Sequence, residues 1–213
     1  MAEAMGLRER KKLETGLRIW RTAISLFSER GYDDVSVAEI AAASDVSKMT
    51  VFNYFGSKDD LVFAPMQEHF ADGARAVRDR APGESAVAAM RRQFLEALEE
   101  RDPSVGASGD PITLKVFQLV QDTPVLFSRA RLLVIDAAEE LVGALLAEDG
   151  SADETTARVA AGVLTATRAA LIAANRQRQG RGESADEIAA ASAAEAERAF
   201  ALVEHGLGAY PGR

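Results

Sequence analysis

The stretch SVAEIAAASDVSKMTVFNYFGSK, Ser36 to Lys58, decides how the chain begins to fold. Ser36 is a good helix N-cap, and Glu39 stands three residues on as its capping-box partner. Val35 and Ile40 occupy the hydrophobic-staple positions on either side. The device recurs at Ser47, with Val46 and Val51 as staple, and again at Ser57, where Asp59 and Asp60 fall in the electropositive first turn. Three caps between Ser36 and Ser57 force short helices separated by sharp turns.

Upstream of this stretch, Leu17, Trp20, Ile24 and Phe27 recur at helical spacing. They predict a first helix over about residues 12–30 with one apolar stripe, stopped at Gly31. A helix, then a short helix, a tight turn and a second short helix is the geometry that carries one helix into the major groove while its neighbour crosses the backbone. The Leu17–Phe27 stripe would form the floor, closed over by Val37, Ile40, Ala41, Val46, Val51, Phe52 and Phe55. Ser47, Lys48, Met49, Thr50, Asn53 and Tyr54 are left facing outward. Hydroxyl, amide and ammonium groups can reach phosphate oxygens or base edges, and the helix starts at Ser36 and Ser47 offer free amides to phosphates.

The charge balance at first argues against such a partner, since the chain is −8 overall. Its distribution reverses the argument. Residues 1–58 hold nine Lys/Arg against eight Asp/Glu, a balance of +1, and the acid lies beyond. Arg8, Arg10, Lys11 and Lys12 form a basic arm ahead of the first helix. There is no cysteine, which excludes disulfides and thiolate chemistry. His69 and His205 alone argue against a histidine-rich metal site, so no metal or cofactor is expected. No apolar run approaches the ~18–20 residues that span a bilayer, and the N-terminus lacks the apolar core of a secretory signal. A cytoplasmic protein with no membrane partner is expected.

Beyond Lys58 the pattern stays helical. One helix is expected over about 58–79, kinked at Pro65, and another over about 84–101. Asp110-Pro111 and Thr123-Pro124 each open a helix with a cap and a first-turn proline, the second running to about Leu146. Ser151-Ala152-Asp153-Glu154 and Ser184-Ala185-Asp186-Glu187 open the last two. About nine helices and no strand give an all-α fold.

In order, ISLFSERGYDDVSVAEIAAASDVSKMTVFNYFGSKDDL resembles the TetR/AcrR family of one-component bacterial transcription regulators, over roughly Thr15 to Leu61. The shared elements are the Phe before the ERGY turn, a capped V..IA helix, VSK.T opening the recognition helix and YF.SK..L closing it. The resemblance implies that Ser36, Thr50, Tyr54 and Lys58 contact phosphates, and that Ser47, Lys48, Met49 and Asn53 reach base edges or nearby backbone. Phe52 stands where the family usually has Tyr, and Met49 where Gly or Pro is commoner; both bear on which operator is read.

The resemblance further implies a helix-turn-helix DNA-binding domain over residues 1–60 and a helical ligand-binding and dimerising domain over 61–213. The Ala-rich last two helices suit a homodimer interface of two helices per subunit. Polar residues among apolar neighbours, Gln118, Gln121, Arg131, Thr165 and Arg168, with Phe94 and Phe117, are the candidate effector-binding set. The segment VFQLVQDTPVLFSRA loosely resembles acyl-CoA-like ligand domains of the family, which implies a hydrophobic or acyl-CoA-like effector. The expected function is a dimeric repressor released from a palindromic double-stranded operator by a small molecule. The alternative is the same fold acting as an activator or under a protein partner. An enzyme is disfavoured: no Cys nucleophile, no His pair, no HExxH or Glu-x-x-His motif and no phosphate-cradling glycine loop occurs, and the adjacent carboxylates Glu99-Glu100 and Glu139-Glu140 point about 100° apart on a helix.

Overall fold

A computed structural model describes residues 6–147 and 153–206. Within them the chain is helical, without strands, in the order α1 (Leu7–Arg30), α2 (Val37–Ala43), α3 (Lys48–Phe55), α4 (Asp60–Phe63), a 3-10 turn (Ala64–Met66), α5 (Gln67–Phe70), α6 (Asp72–Arg78), α7 (Ala86–Glu99), a 3-10 turn (Pro103–Val105), α8 (Pro111–Asp122), α9 (Pro124–Leu146), α10 (Glu154–Gly180) and α11 (Ala185–His205). The described residues form two units, one within 1–65 and 110–129 and one within 66–109 and 130–213.

Local chemistry explains most of these boundaries. Ser36 and Ser184 each accept a hydrogen bond from the amide three residues on, while Glu39 and Glu187 answer from the other side as capping boxes. Asp110 accepts from the Thr113 amide at 3.0 Å, with Pro111 in the first turn. At α10 the cap is Asp153, which accepts from the Thr156 amide at 3.1 Å; the expected contributors Ser151 and Ala152 lie outside the described residues.

Four expectations need correcting. The basic arm is helical: α1 begins at Leu7, so Arg8, Arg10, Lys11 and Lys12 stand exposed on its opening turns. Lys and Arg are good helix formers, and Glu9 satisfies the Gly6 amide at 3.3 Å. Secondly, the buried stripe of α1 runs through Ile19, Ala23, Ile24 and Phe27, and Leu17 is exposed. At 3.6 residues per turn, Leu17 sits about a quarter turn from the centre of that stripe. Thirdly, the helix expected over 58–79 is broken rather than kinked, into α4, the 3-10 turn, α5 and α6. Pro65 cannot donate to the ladder and its ring obstructs the preceding turn. Finally, α10 is long and apolar enough to cross a membrane by length and composition alone. Alanine supplies much of that apolarity, and Arg158 and Arg168 interrupt it.

The first unit packs α1 against α2, α4 and α8, with α2 against α3. Its core includes Ile24, Phe27, Val35, Ile40, Val51 and Leu61. The second unit packs α7 against α6, α10 and α11 around Phe94, Leu98, Leu164 and Phe200. Phe94 and Phe200 meet at 6.3 Å between ring centroids. Ion pairs add to this packing, among them Arg101, just past α7, with Asp186 at 2.7 Å and Arg178 with Glu195 at 2.5 Å.

Candidate nucleic-acid interface

The turn between α2 and α3 is built from backbone bonds. The Ser44 amide donates to Ile40 at 2.9 Å, and the Val46 amide reaches back to Ala41 at 3.0 Å. Between them Asp45 takes a left-handed conformation, φ 52°, which Asp tolerates better than most residues. Ser47 then caps α3, accepting from the Thr50 amide at 3.0 Å while the two hydroxyls pair at 2.8 Å. Val35 and Ile40, the staple of α2, are both fully buried, and Val51 anchors α3 from below.

With Val51 inward, α3 presents Lys48, Met49, Phe52 and Asn53 outward, and Thr50 and Tyr54 half-buried beside them. Met49 is 68% exposed. Phe52, expected to close the core, is instead exposed, with the Lys48 ammonium 5.8 Å from its ring. The position adjoining Val51 lies off the inward stripe, so an aromatic there need not pack. Tyr54 lies against α1 at Gly16, where an added Cβ would come within 3.2 Å of the ring.

The end of α1 is tied to the segment after α3 by groups far apart in sequence. The Lys58 ammonium donates to the Tyr32 carbonyl at 2.6 Å and lies 4.1 Å from the Tyr32 ring centroid. The Tyr32 hydroxyl donates to Asp59. Burial, then that bond to Asp59, pushes the phenol well above its ordinary range. Lys58 thus has one of its three donors committed, leaving two for another oxygen. Nothing in local spacing announces this network; only the order of the ERGY and YF.SK segments hints at it.

Arg30 clamps the other side, donating to Glu39 at 2.7 Å and to the Asp34 carbonyl at 3.1 Å. The Ser36 amide foremost, then Arg30 and the Ser36 hydroxyl, lower the Glu39 carboxyl from 4.5 to about 2. A depressed carboxylate stabilises the fold above its unfolded value and loses that contribution as pH falls through its folded one. The advantage of the native chain over Glu39→Gln should therefore be constant above pH 5 and fade between about 4.5 and 2. Urea midpoints of the two proteins across that range check this; an advantage undiminished at pH 2 would contradict it.

The expected effector residues are divided between the two units. Phe117, Gln118 and Gln121 belong to the first unit, Phe94, Arg131, Thr165 and Arg168 to the second. Phe94 is fully buried core, whereas Gln118, Gln121 and Arg131 are exposed. On α8 the glutamines follow the outward face, because the inward stripe is filled by Val116, Phe117, Leu119 and Val120. Gln118 borders a groove of about 410 Å³ in the first unit, between the end of α1 and α8, with Phe27, Tyr32 and Lys115. Among the described residues, no group of three or more His, Asp or Glu could hold a metal ion.

Residues 19–64 match the family described as "Bacterial regulatory proteins, tetR family". The regulator TcmR of Streptomyces glaucescens is 30% identical over 141 residues, covering 66% of this chain and 61% of TcmR. The repressor Rv3405c of Mycobacterium tuberculosis is 35% identical over 89 residues, 39% of this chain and 47% of that protein. The chain therefore spans about half to three-fifths of the length of these curated relatives. Among solved structures, NalD, the secondary repressor of the MexAB-OprM multidrug efflux pump in Pseudomonas aeruginosa, superposes with a TM-score of 0.57 at 19% identity, over 89% of this chain and 96% of NalD. A SmeT–triclosan complex gives 0.57 at 17% identity, over 94% and 98%. These two likenesses speak to the fold.

Proposed function

We propose, from the match of residues 19–64 to the TetR family of bacterial regulatory proteins, that the chain is a cytoplasmic homodimeric repressor released from a palindromic operator by a small molecule. The observation that carries the DNA-reading part is the outward set on α3, Lys48, Met49 and Asn53 exposed beside Thr50 and Tyr54, above a buried Val51. Each subunit would place α3 in a major groove, with half-site centres ~34–36 Å apart. Ser36, Thr50, Tyr54 and Lys58 would hold phosphates while Ser47, Lys48, Met49 and Asn53 address bases. Phe52 joins this face, and with Met49 offers apolar contact to a thymine methyl.

Dimerisation draws support from α10 and α11. Val159, Val163 and Leu202 are exposed apolar residues, and Gly162 has open space where a side chain would stand. Small residues along such a face let a second copy approach closely. Effector release requires a ligand with different affinity for two conformers, since equal affinity shifts nothing. That SmeT forms a complex with triclosan supports an effector here by analogy of fold alone.

Two substitutions test the assignment of roles. Lys58→Met should weaken binding to every duplex alike and reduce the salt slope by about one unit, as loss of a phosphate contact does. Asn53→Ala should instead relax preference at particular base pairs, by about 1–3 kcal/mol of discrimination. Equal loss from Asn53→Ala on all sequences, measured by salt-titrated fluorescence anisotropy, would remove Asn53 from base readout.

A further inference from the structure

The inward face of α10 carries the buried Ala157, Ala161, Leu164, Leu171 and Asn175, with Arg168 among them, its side chain 14% exposed. Every position but two is apolar, and one exception is accounted for: Asn175 is fully buried and donates to the Val105 carbonyl at 2.7 Å. Arg168 is the other. Its Nε and Nη2 are shut off from solvent and have no hydrogen-bond partner. The nearest carboxylate oxygen, on Asp72, lies 3.9 Å from Nη2, too far for a hydrogen bond. Asp72 is already engaged: its other oxygen accepts from Arg75, and His69 Nδ1 lies 3.2 Å from the first. Asp102, the next acid that Arg168 feels, accepts from the Ser104 amide at 2.7 Å.

A second guanidinium stands two turns further along the same helix. Arg176 is partly buried; desolvation first, then the charge of Arg168, lowers it to about 10. Two cations enclosed on one helix face, one with two donors unserved, form an expensive arrangement for a stability role alone. It is an economical one for receiving an anion, because a guanidinium offers two parallel N–H groups to a carboxylate or phosphate. Leu164 and Leu171, one turn away on either side, belong to the apolar core, so the surroundings of the charged head are apolar.

We propose that Arg168 is the anchor of an effector site in the second unit, and that the effector is an anionic amphiphile whose carboxylate or phosphate head pairs with the Arg168 guanidinium. This rests on the reading that the second unit receives an effector, and it names that effector's chemical class. Binding would draw Arg168 away from Asp72, a coupled pair joining α10 to α6.

The test uses the full chain, the variant Arg168→Met and one eight-carbon body with different heads: octanoate, octyl phosphate and neutral 1-octanol. Calorimetry and thermal unfolding are expected to show saturable binding of at least one anion to the native chain, no comparable binding of 1-octanol, and at least tenfold loss of the anion in Arg168→Met. Without ligand, Arg168→Met should melt close to the native chain, because two unpartnered buried donors are removed together with the loose 3.9 Å pairing to Asp72. Octanoate and octyl phosphate separate the two head chemistries. If neither anion binds in preference to 1-octanol, or if Arg168→Met retains the preference, the inference is overturned. Operator binding is measured in parallel on both proteins. Its loss from the native chain would instead overturn the regulatory reading, leaving the anion site standing on its own result.

Discussion

Replacing Phe27 with alanine is expected to destabilise the first unit by about 3–5 kcal/mol, the cost of emptying a buried aromatic site. Phe27 is 1% exposed, sits 5.1 Å from the Tyr32 ring by centroids, and lies 5.6 Å beneath the Lys58 ammonium. Its loss would therefore remove core volume and also the support on which the Tyr32–Lys58–Asp59 network rests. Small domains are held by only about 5–15 kcal/mol, so this one change would consume a large share. Urea unfolding followed by tryptophan fluorescence reads the effect, Trp20 being on α1. Specific duplex binding should fall with it, because α3 is oriented through the same contacts. A change below about 1 kcal/mol would mean that the core around Phe27 re-forms without it.

The second large effect is expected at Gly106. This residue follows the 3-10 turn in a left-handed conformation, φ 74° and ψ 21°. An added Cβ would lie 3.1 Å from the Asn175 Cβ and 3.2 Å from the Ile172 carbonyl oxygen, a backbone atom that cannot swing aside. Gly106→Ala should cost about 1–2 kcal/mol for the conformation and a further 1–3 kcal/mol for overpacking. It would also strain the Asn175–Val105 hydrogen bond that fastens this loop to α10. Gly143→Ala is the matched control in the same unit: it lies inside α9 with nothing within 4 Å of its added Cβ. That change should be neutral or stabilise by up to about 1 kcal/mol. Equal melting temperatures for the two variants would contradict the packing of the loop against α10.

What could be read from the chain beforehand was its local chemistry. Ser36, Ser47, Asp110 and Ser184 cap helices where a side-chain oxygen and a following amide lie three residues apart, and proximity in sequence makes such bonds legible. The inward position of Val51, and hence the outward set on α3, followed from helical spacing. Contacts across longer separations did not follow. Lys58 and Tyr32 meet over 26 residues of chain, and no periodicity predicts that an ammonium will settle on a carbonyl and an aromatic ring. The grouping of α8 with α1 has the same character, since α8 looks locally like any amphipathic helix. Phe52 and Leu17 show the limit of apolar pattern itself: a residue at the edge of a stripe is placed by its neighbours across the gap. Arg168 lies at the other extreme, a charge whose spacing assigns it to the buried face and whose chemistry argues against it.

The central claim is that α3 reads DNA as one of a pair. The most direct measurement is selection of random duplex fragments on the purified chain near physiological salt, followed by sequencing of what is retained. The account predicts enrichment of a palindrome with half-site centres about one helical turn apart, ~34–36 Å, lost when Asn53 and Lys48 are both replaced by alanine. A folded chain that enriches no sequence, or a single unpaired half-site, would contradict it.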